Sequence, residues 1–496
     1  MTHKRAAASL LTLALLIVGI TPSPGGPCGV RCSGPGPDTP TAAPSPERLT
    51  TLATASQAAG DWRIVTVPSS SDQGTFSSIA VDQTGAPYIS FLDQDTMEVR
   101  YAVRLAEDAW EEQIVDTLTF LAWSNTSLAL DEEDQPQIAY PFANPCRIGH
   151  AAQSGATWQV TKLDPGGCPE YVNLALDGAG EPCISYHQWE RRGETKIHVL
   201  CREGGVWQTA SAVDTVNQTT LEELALYHDL VLESDGTPHL SYYRQTTDTA
   251  KAELWYATRS GGAWERTVVD AGPGVGSYSS LALDSQTRPA ISYYDHVDGD
   301  LRYARWDGSR WISETVDSGG DVGAHTSLAL DGGDRPHVSY HDATNQDLKY
   351  AAWDGSRWIS ETVASDGAVG QWTSLALDNL GNPHISAYDA TNGDLLYATR
   401  DTSPEADFSA QPTSGPAPLT VDFTNLSSGD YDACTWSFGD GDTSSDCADP
   451  SHVYTSAAAY TVTLSVSGPG GSDVRTRPAY VKVRSIVYLP AVLRGG

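Results

Sequence analysis

Positive charge is scarce in this chain. Lysine and arginine total 30 against 63 acidic residues, a formal charge of −33 over 496 residues. Such a surface repels phosphate backbones and anionic lipid, which excludes nucleic acid as a partner. Methionine is almost missing, with two in the chain. After residue 21 nothing approaches the roughly 20 consecutive apolar residues of a membrane span, so no span is expected in the mature chain. No C-x-x-C pair occurs, and no structural zinc site is expected. G-x-S-x-G and H-E-x-x-H are also absent, and no catalytic residue is assigned. Long helical patterns are lacking, while 45 Gly and 29 Pro punctuate the chain. What is abundant is 14 Trp and 22 Tyr, residue types that suit a pleated β surface.

The first residues read as an export signal. His3, Lys4 and Arg5 lead into a mainly apolar stretch at 6–20, so residues 1–21 are assigned as a signal peptide. Residues 22–58 are rich in Pro, Ala, Thr and Ser without periodic apolar positions, as in an extended linker. The eight cysteines (28, 32, 146, 168, 183, 201, 434 and 447) are an even count, which in an exported chain reads as disulfides. A secreted or cell-surface location follows.

A short phrase then recurs seven times. It reads SSIAVD, TSLALD, VNLALD, HDLVLE, SSLALD, TSLALD and TSLALD, ending at Asp82, Asp131, Asp177, Glu233, Asp284, Asp331 and Asp378. Five residues after each acid stands a proline, from Pro87 to Pro383. The spacing of 46 to 56 residues is that of a propeller or a similar array. Each unit holds four strand-like runs, in the sixth TSLALD, HVSYHD, LKYAAW and RWISETV. Seven units of four antiparallel strands give an all-β chain with a seven-bladed β-propeller over residues 59–401.

The tryptophans predict how the ring closes. The fourth strands begin at Trp62, Trp110, Trp158, Trp207, Trp264, Trp311 and Trp358. The first precedes the first SSIAVD, and the last unit has no tryptophan strand of its own. The N-terminal strand should therefore complete the last blade and hide two sheet edges.

From about residue 405 the pattern changes. Trp436, Phe438, Gly439, Asp440 and Gly441 form a W-x-F-G-D-G core, His452 and Tyr454 an H-x-Y, and a YTVTL run lies at 460–464. This stretch, 405–484, resembles a PKD domain, which implies an Ig-like β-sandwich acting as a spacer on secreted or surface proteins. Ser437 stands where the family usually has Asp. The tail, 485–496, has no assigned role. Within this framework Cys434 and Cys447 are the one pair in the PKD-like stretch. Cys183 and Cys201 align with His337 and Ala352 of the sixth unit, which face each other across a hairpin. Cys146 then falls to Cys168, and Cys28 to Cys32.

Two features are expected on the propeller face where ligands usually bind. The first is a ring just before the inner strands: Phe76, Asn125, Tyr171, Tyr227, Tyr278, His325 and Trp372. Aromatic faces stack on sugars, and they also seal channel mouths. The second is acidic. Asp93, Asp295, Asp342 and Asp389 share one position after the second strand, which Phe142, Gln188 and Arg244 hold in the other units. They suit turn capping or a ligand. Tyr278, His325, Trp372, Asp295, Asp342 and Asp389 are the candidate ligand-binding set.

DHVDGD and DATNGD look like oxygen-rich calcium loops without matching the EF-hand, so no cofactor or metal is assigned. The blades resemble those of sialidase-like and fucose-lectin-like propellers. In D-G-S-R-W the Asp and Gly are adjacent, unlike the sialidase Asp-box, so the likeness does not extend to sialidase activity. The expected protein is a monomeric, non-enzymatic binding or adhesion protein for an extracellular glycan or surface polymer. A glycan-active hydrolase or lyase is the alternative.

Overall fold

The computed structural model describes residues 62–67 and 73–485, except 107–108, 119–124, 144, 156, 190–193, 218–222, 246–251, 401–403, 428–430, 432 and 469–470. The leader, the linker, Cys28, Cys32 and the tail beyond 485 lie outside the described residues. Every regular element among those residues is a strand, and no helix there is long and apolar enough to cross a membrane.

Seven antiparallel sheets form the blades. Their inner strands are Gln73–Val81, Ser127–Leu130, Cys168–Leu176, Glu223–Leu232, Val275–Leu283, Val322–Leu330 and Val369–Leu377. Blade 6 is typical, continuing with Pro336–Asp342, Asp347–Trp353 and Trp358–Ala364. Blade 7 borrows its outer strand from the N-terminus. Arg63–Thr66 pairs antiparallel with Asp394–Thr399, Arg63 against Thr399 and Thr66 against Leu396.

The repeated phrase is explained by the seams between blades. In T-S-L-A-L-D the first hydroxyl reaches the preceding blade: Thr326 Oγ1 donates to Ser292 Oγ and Thr373 Oγ1 to Ser339 Oγ, each at 2.9 Å. The second accepts from the next blade. Ser327 Oγ takes the Leu375 N–H at 3.0 Å, and Ser374 Oγ takes that of Ile79 at 3.2 Å, joining blade 7 to blade 1. In blade 4 Asp229 stands in that place and accepts from Leu281 N at 2.8 Å. The closing acid caps the turn: Asp331 Oδ1 accepts from Gly333 N and Arg335 N, at 2.8 and 2.9 Å. The proline then opens the second strand, where a missing N–H is tolerated.

Two further ladders stitch the seams. A buried tyrosine of the second strand donates to an acid on the preceding blade's outer strand, as in Tyr140–Asp116 (2.9 Å), Tyr242–Asp214 (3.1 Å) and Tyr340–Asp317 (2.6 Å). Five of the outer-strand tryptophans meet a third-strand tyrosine of the preceding blade edge-on, and Trp207 meets His150 in the same way. Trp358 packs on Tyr303 at 5.2 Å, and Trp62 on Tyr350 at 5.1 Å. Aromatic and leucine side chains thus fill the seams, so the core is a ring of interblade wedges.

The C-terminal region is a sandwich of two sheets. One orders Phe408–Gln411, Leu419–Asn425 and Ser451–Tyr454, and the other is led by Ala459–Gly468 paired with Gly471–Arg484. Trp436 is fully buried among Phe408, Phe423 and Phe438, with its Nε1 donating to Asp446 O at 3.0 Å. Tyr454 Oη donates to Phe438 O at 3.0 Å, so the W-x-F and H-x-Y motifs build one corner of this core.

Three disulfides occur among the described residues: Cys146–Cys168, Cys183–Cys201 and Cys434–Cys447. Cys183 and Cys201 are direct cross-strand partners, in the register that pairs His337 with Ala352 in blade 6.

Candidate functional site at the channel mouth

The ring residues lie within the inner strands rather than in loops ahead of them. The register against the second strand shifts there: Ala324 faces His341 and Ser327 faces Ser339, leaving His325 and Thr326 opposite Tyr340. This bulge places Phe76, Tyr171, Tyr278, His325 and Trp372 in the left-handed region, with φ from 49° to 56°. Bulky side chains adopt that conformation at a cost of about 1–2 kcal/mol each. It swings each ring out of the sheet, toward the axis.

A glycine two residues earlier makes the bulge possible. Gly323 has φ +110°, and a Cβ there would lie 2.8 Å from the Cα of Leu301 on the preceding blade. Gly74, Gly276 and Gly370 repeat this close approach.

The rings form one contiguous arc. Centroids are 4.7 Å apart for Phe76 and Trp372, 5.5 Å for Trp372 and His325, and 4.4 Å for His325 and Tyr278. The arc continues to Tyr227 at 4.0 Å and Tyr171 at 5.9 Å. Asn125 completes the circle through both its amide atoms. Nδ2 donates to Val172 O at 2.6 Å, and Oδ1 accepts from Val172 N at 3.0 Å. Behind the arc stands a second tier. Tyr388 touches Trp372 (5.5 Å), His341 touches His325 (6.2 Å) and Tyr294 touches Tyr278 (6.2 Å).

The ring carries no charge at neutral pH. Burial, with His341 as a minor contributor, pushes His325 down to about 3, and burial pushes the Tyr278 hydroxyl up to about 12. Burial likewise lowers His341 to about 4. A histidine kept neutral in the fold binds its proton more readily when unfolded. Stability is therefore complete above the ordinary value of 6.5 and falls as pH drops from there toward the folded values near 3 and 4. His325→Tyr puts in place the residue that blades 3 to 5 use. Its melting temperature should fall less than the parent's between about pH 7 and about pH 4.5. Equal slopes would mean that His325 is protonated in the folded state.

The structure brings Tyr278, His325 and Trp372 together. Asp295, Asp342 and Asp389 sit just behind them, 2–5% exposed, with their carboxylates engaged in the next turn. Asp389 Oδ1 accepts from Thr391 N at 2.8 Å and its Oδ2 from Asn392 Nδ2 at 2.7 Å. Asp342 holds Asn345 in the same way, and Asp295 caps Val297 and Asp298. These acids act as turn caps in the present geometry. The second tier was legible in the repeats, as the residue before each such Asp (Tyr294, His341 and Tyr388), but the sequence reading passed over it.

In the sandwich, ligand-capable atoms of Asp440, Asp442 and His452 lie within 4.8 Å of one another. His452 stacks flat on Phe438 at 4.2 Å, with Nε2 2.7 Å from Asp440 Oδ2, an arrangement that secures the corner.

Residues 401–483 match the PKD domain family. No curated protein matches the chain in sequence. Among solved structures, it is similar to a polysaccharide lyase, an ulvan lyase bound to -[GlcA(1-4)Rha3S]-. Identity is 12% over 69% of this chain and 94% of the other, with a TM-score of 0.47. It is also similar to AofleA from Arthrobotrys oligospora, at 14% identity over 62% of this chain and 91% of the other, with a TM-score of 0.41. The α-L-arabinanase of Penicillium chrysogenum complexed with arabinobiose is similar at 12% identity, over 55% and 92%, with a TM-score of 0.42.

Proposed function

We propose that this is an exported or cell-surface binding protein whose propeller takes a glycan or a surface polymer at the channel mouth, with the PKD domain as spacer. The observation that carries the reading is the uncharged arc of six aromatic rings in contact, five of them held in left-handed backbone. Strained conformations of bulky residues concentrate where a surface is put to use. An uncharged aromatic surface suits the apolar face of a sugar. The disulfides and the PKD domain support an extracellular setting. Asp295, Asp342 and Asp389 serve this site by shaping the loops around it.

The test is a glycan array with the full chain, followed by titration of any hit. Trp372→Ala should weaken binding by about 2 kcal/mol, roughly 30-fold, with the fold intact. Tyr278→Ala should act in the same direction. Unchanged binding in both variants would remove the site from this face.

A second reading, a glycan lyase or hydrolase, draws on blade 3. Ser185, Tyr186, Gln188 and Thr195 there have buried polar atoms without hydrogen-bond partners. Tyr186 stacks on His198 at 5.1 Å, and His187 is fully buried beside them. Release of reducing or unsaturated ends from a polysaccharide by the full chain would favour this reading over binding alone.

A further inference from the structure

The opposite face carries a cleft at the seam between blades 4 and 5. It encloses about 290 Å³ and is lined chiefly by Tyr256, Thr267, Thr287, Arg288, Trp306 and Trp311. Thr287 and Arg288 lie in the turn from the inner to the second strand, and Trp306 and Trp311 flank the turn from the third to the outer strand. Strands alternate in direction, so both turns face away from the aromatic arc.

The cleft exists because a filling side chain is missing. At two other seams the residue three after the outer-strand tryptophan accepts the next blade's indole. Gln113 Oε1 takes Trp158 Nε1, and Glu314 Oε1 takes Trp358 Nε1, each at 3.1 Å. In blade 4 that place belongs to Thr267, three after Trp264. Its hydroxyl is shorter and turns back to Val268 O, at 3.5 Å. Trp311 Nε1 is left buried without a partner, an uncommon state for an indole donor. At the closing seam Val65 stands in the same place and Trp110 Nε1 is likewise unpartnered. Blade 1 has Gly85 and Ala86 there instead of Thr287 and Arg288.

The rest of the wall is equally particular. Thr287 has φ 57°, where other blades place Gly85, Asp134, Gly180, Gly236, Asp334 or Gly381. A β-branched residue in that region is a genuine outlier, of the kind that marks functional sites. Arg288 is held at the edge by Asp284, Nε to Oδ2 2.6 Å. Trp306 and Trp311 stand edge to face, with centroids 5.8 Å apart. The cleft thus offers aromatic faces, the anchored guanidinium of Arg288 and two hydroxyls in a space suited to one ring.

We propose that this cleft binds a single sugar residue. The apolar face of a pyranose lies against Trp306. Its oxygens accept from Arg288, its edge lies over the Trp311 indole, and its hydroxyls meet Thr267 and Thr287. The site is independent of the channel mouth.

The test is indole NMR on the full chain labelled at tryptophan, with the Trp311 resonance assigned through Trp311→Phe. The probes are galactose, mannose, fucose, N-acetylglucosamine and glucuronate, with a proline-rich peptide as comparison. At least one sugar should shift the Trp311 signal saturably. Thr267→Glu installs the acceptor of the neighbouring seam. It should weaken that binding tenfold or more while leaving the melting temperature unchanged or raised, which separates an occupied cleft from a damaged fold. Trp372→Ala should leave the Trp311 response intact, so failure of the channel-mouth reading would be seen separately. The proposal is overturned if no sugar moves the resonance, if only the peptide does, or if Thr267→Glu binds sugar as well as the parent.

Discussion

A chain lacking residues 59–70 will melt far below the intact protein and will self-associate. Those residues include the outer strand of blade 7, whose four pairs run from Arg63–Thr399 to Thr66–Leu396. Val67 is fully buried, and Trp62 packs on Tyr350 of blade 6. Each fully buried side chain of this size contributes about 1.5–3 kcal/mol. In a domain larger than about 250 residues 1 kcal/mol moves the melting temperature by about 1–2 °C, so a fall of about 5 °C or more is expected. The deletion also bares the edge of Asp394–Thr399, and unpaired edges recruit other chains. Scanning calorimetry with size-exclusion chromatography checks both effects. A monomer with the parent's melting temperature would show that the ring does not depend on this strand.

The second large effect is expected at a single methyl group. Gly323→Ala puts a Cβ 2.8 Å from the Leu301 Cα, at φ +110°. The left-handed backbone costs about 1–2 kcal/mol, and forcing two packed backbones apart adds about 1–3 kcal/mol. Gly308→Ala is the matched control. Its φ is +98°, but a Cβ there meets nothing within 4 Å, so only the backbone cost applies. In urea titrations Gly323→Ala should lose about 2–5 kcal/mol and Gly308→Ala about 1–2 kcal/mol. Equal losses would mean that the close approach between blades relaxes freely.

The architecture was legible because the propeller repeats its solution. Seven Asp-to-Pro offsets set the inner turn, and seven tryptophans counted the outer strands, including the borrowed one. The ring residues were legible as types but not in place. Nothing local in GAHTSLALD signals that His325 sits in a left-handed bulge, because that depends on Gly323 meeting Leu301 of another blade. The role of the hydroxyls in the phrase was hidden for the same reason: Thr326 and Ser327 have their partners 34 and 48 residues away. The cleft was harder still. It arises from what Thr267 fails to fill, and the comparison with Gln113 and Glu314 gains meaning only once their indole partners are known.

The antiparallel closure has a mechanical consequence. Arg63, where the chain enters the propeller, pairs with Thr399, where it leaves. Tension applied between the two ends therefore does not load the four pairs side by side. It falls first on Arg63–Thr399, then on the next pair, peeling the strand away like a zip. Such a joint yields at lower force than one pulled in shear, although both contain the same bonds. A propeller tethered at both ends would open at this joint before any blade gave way.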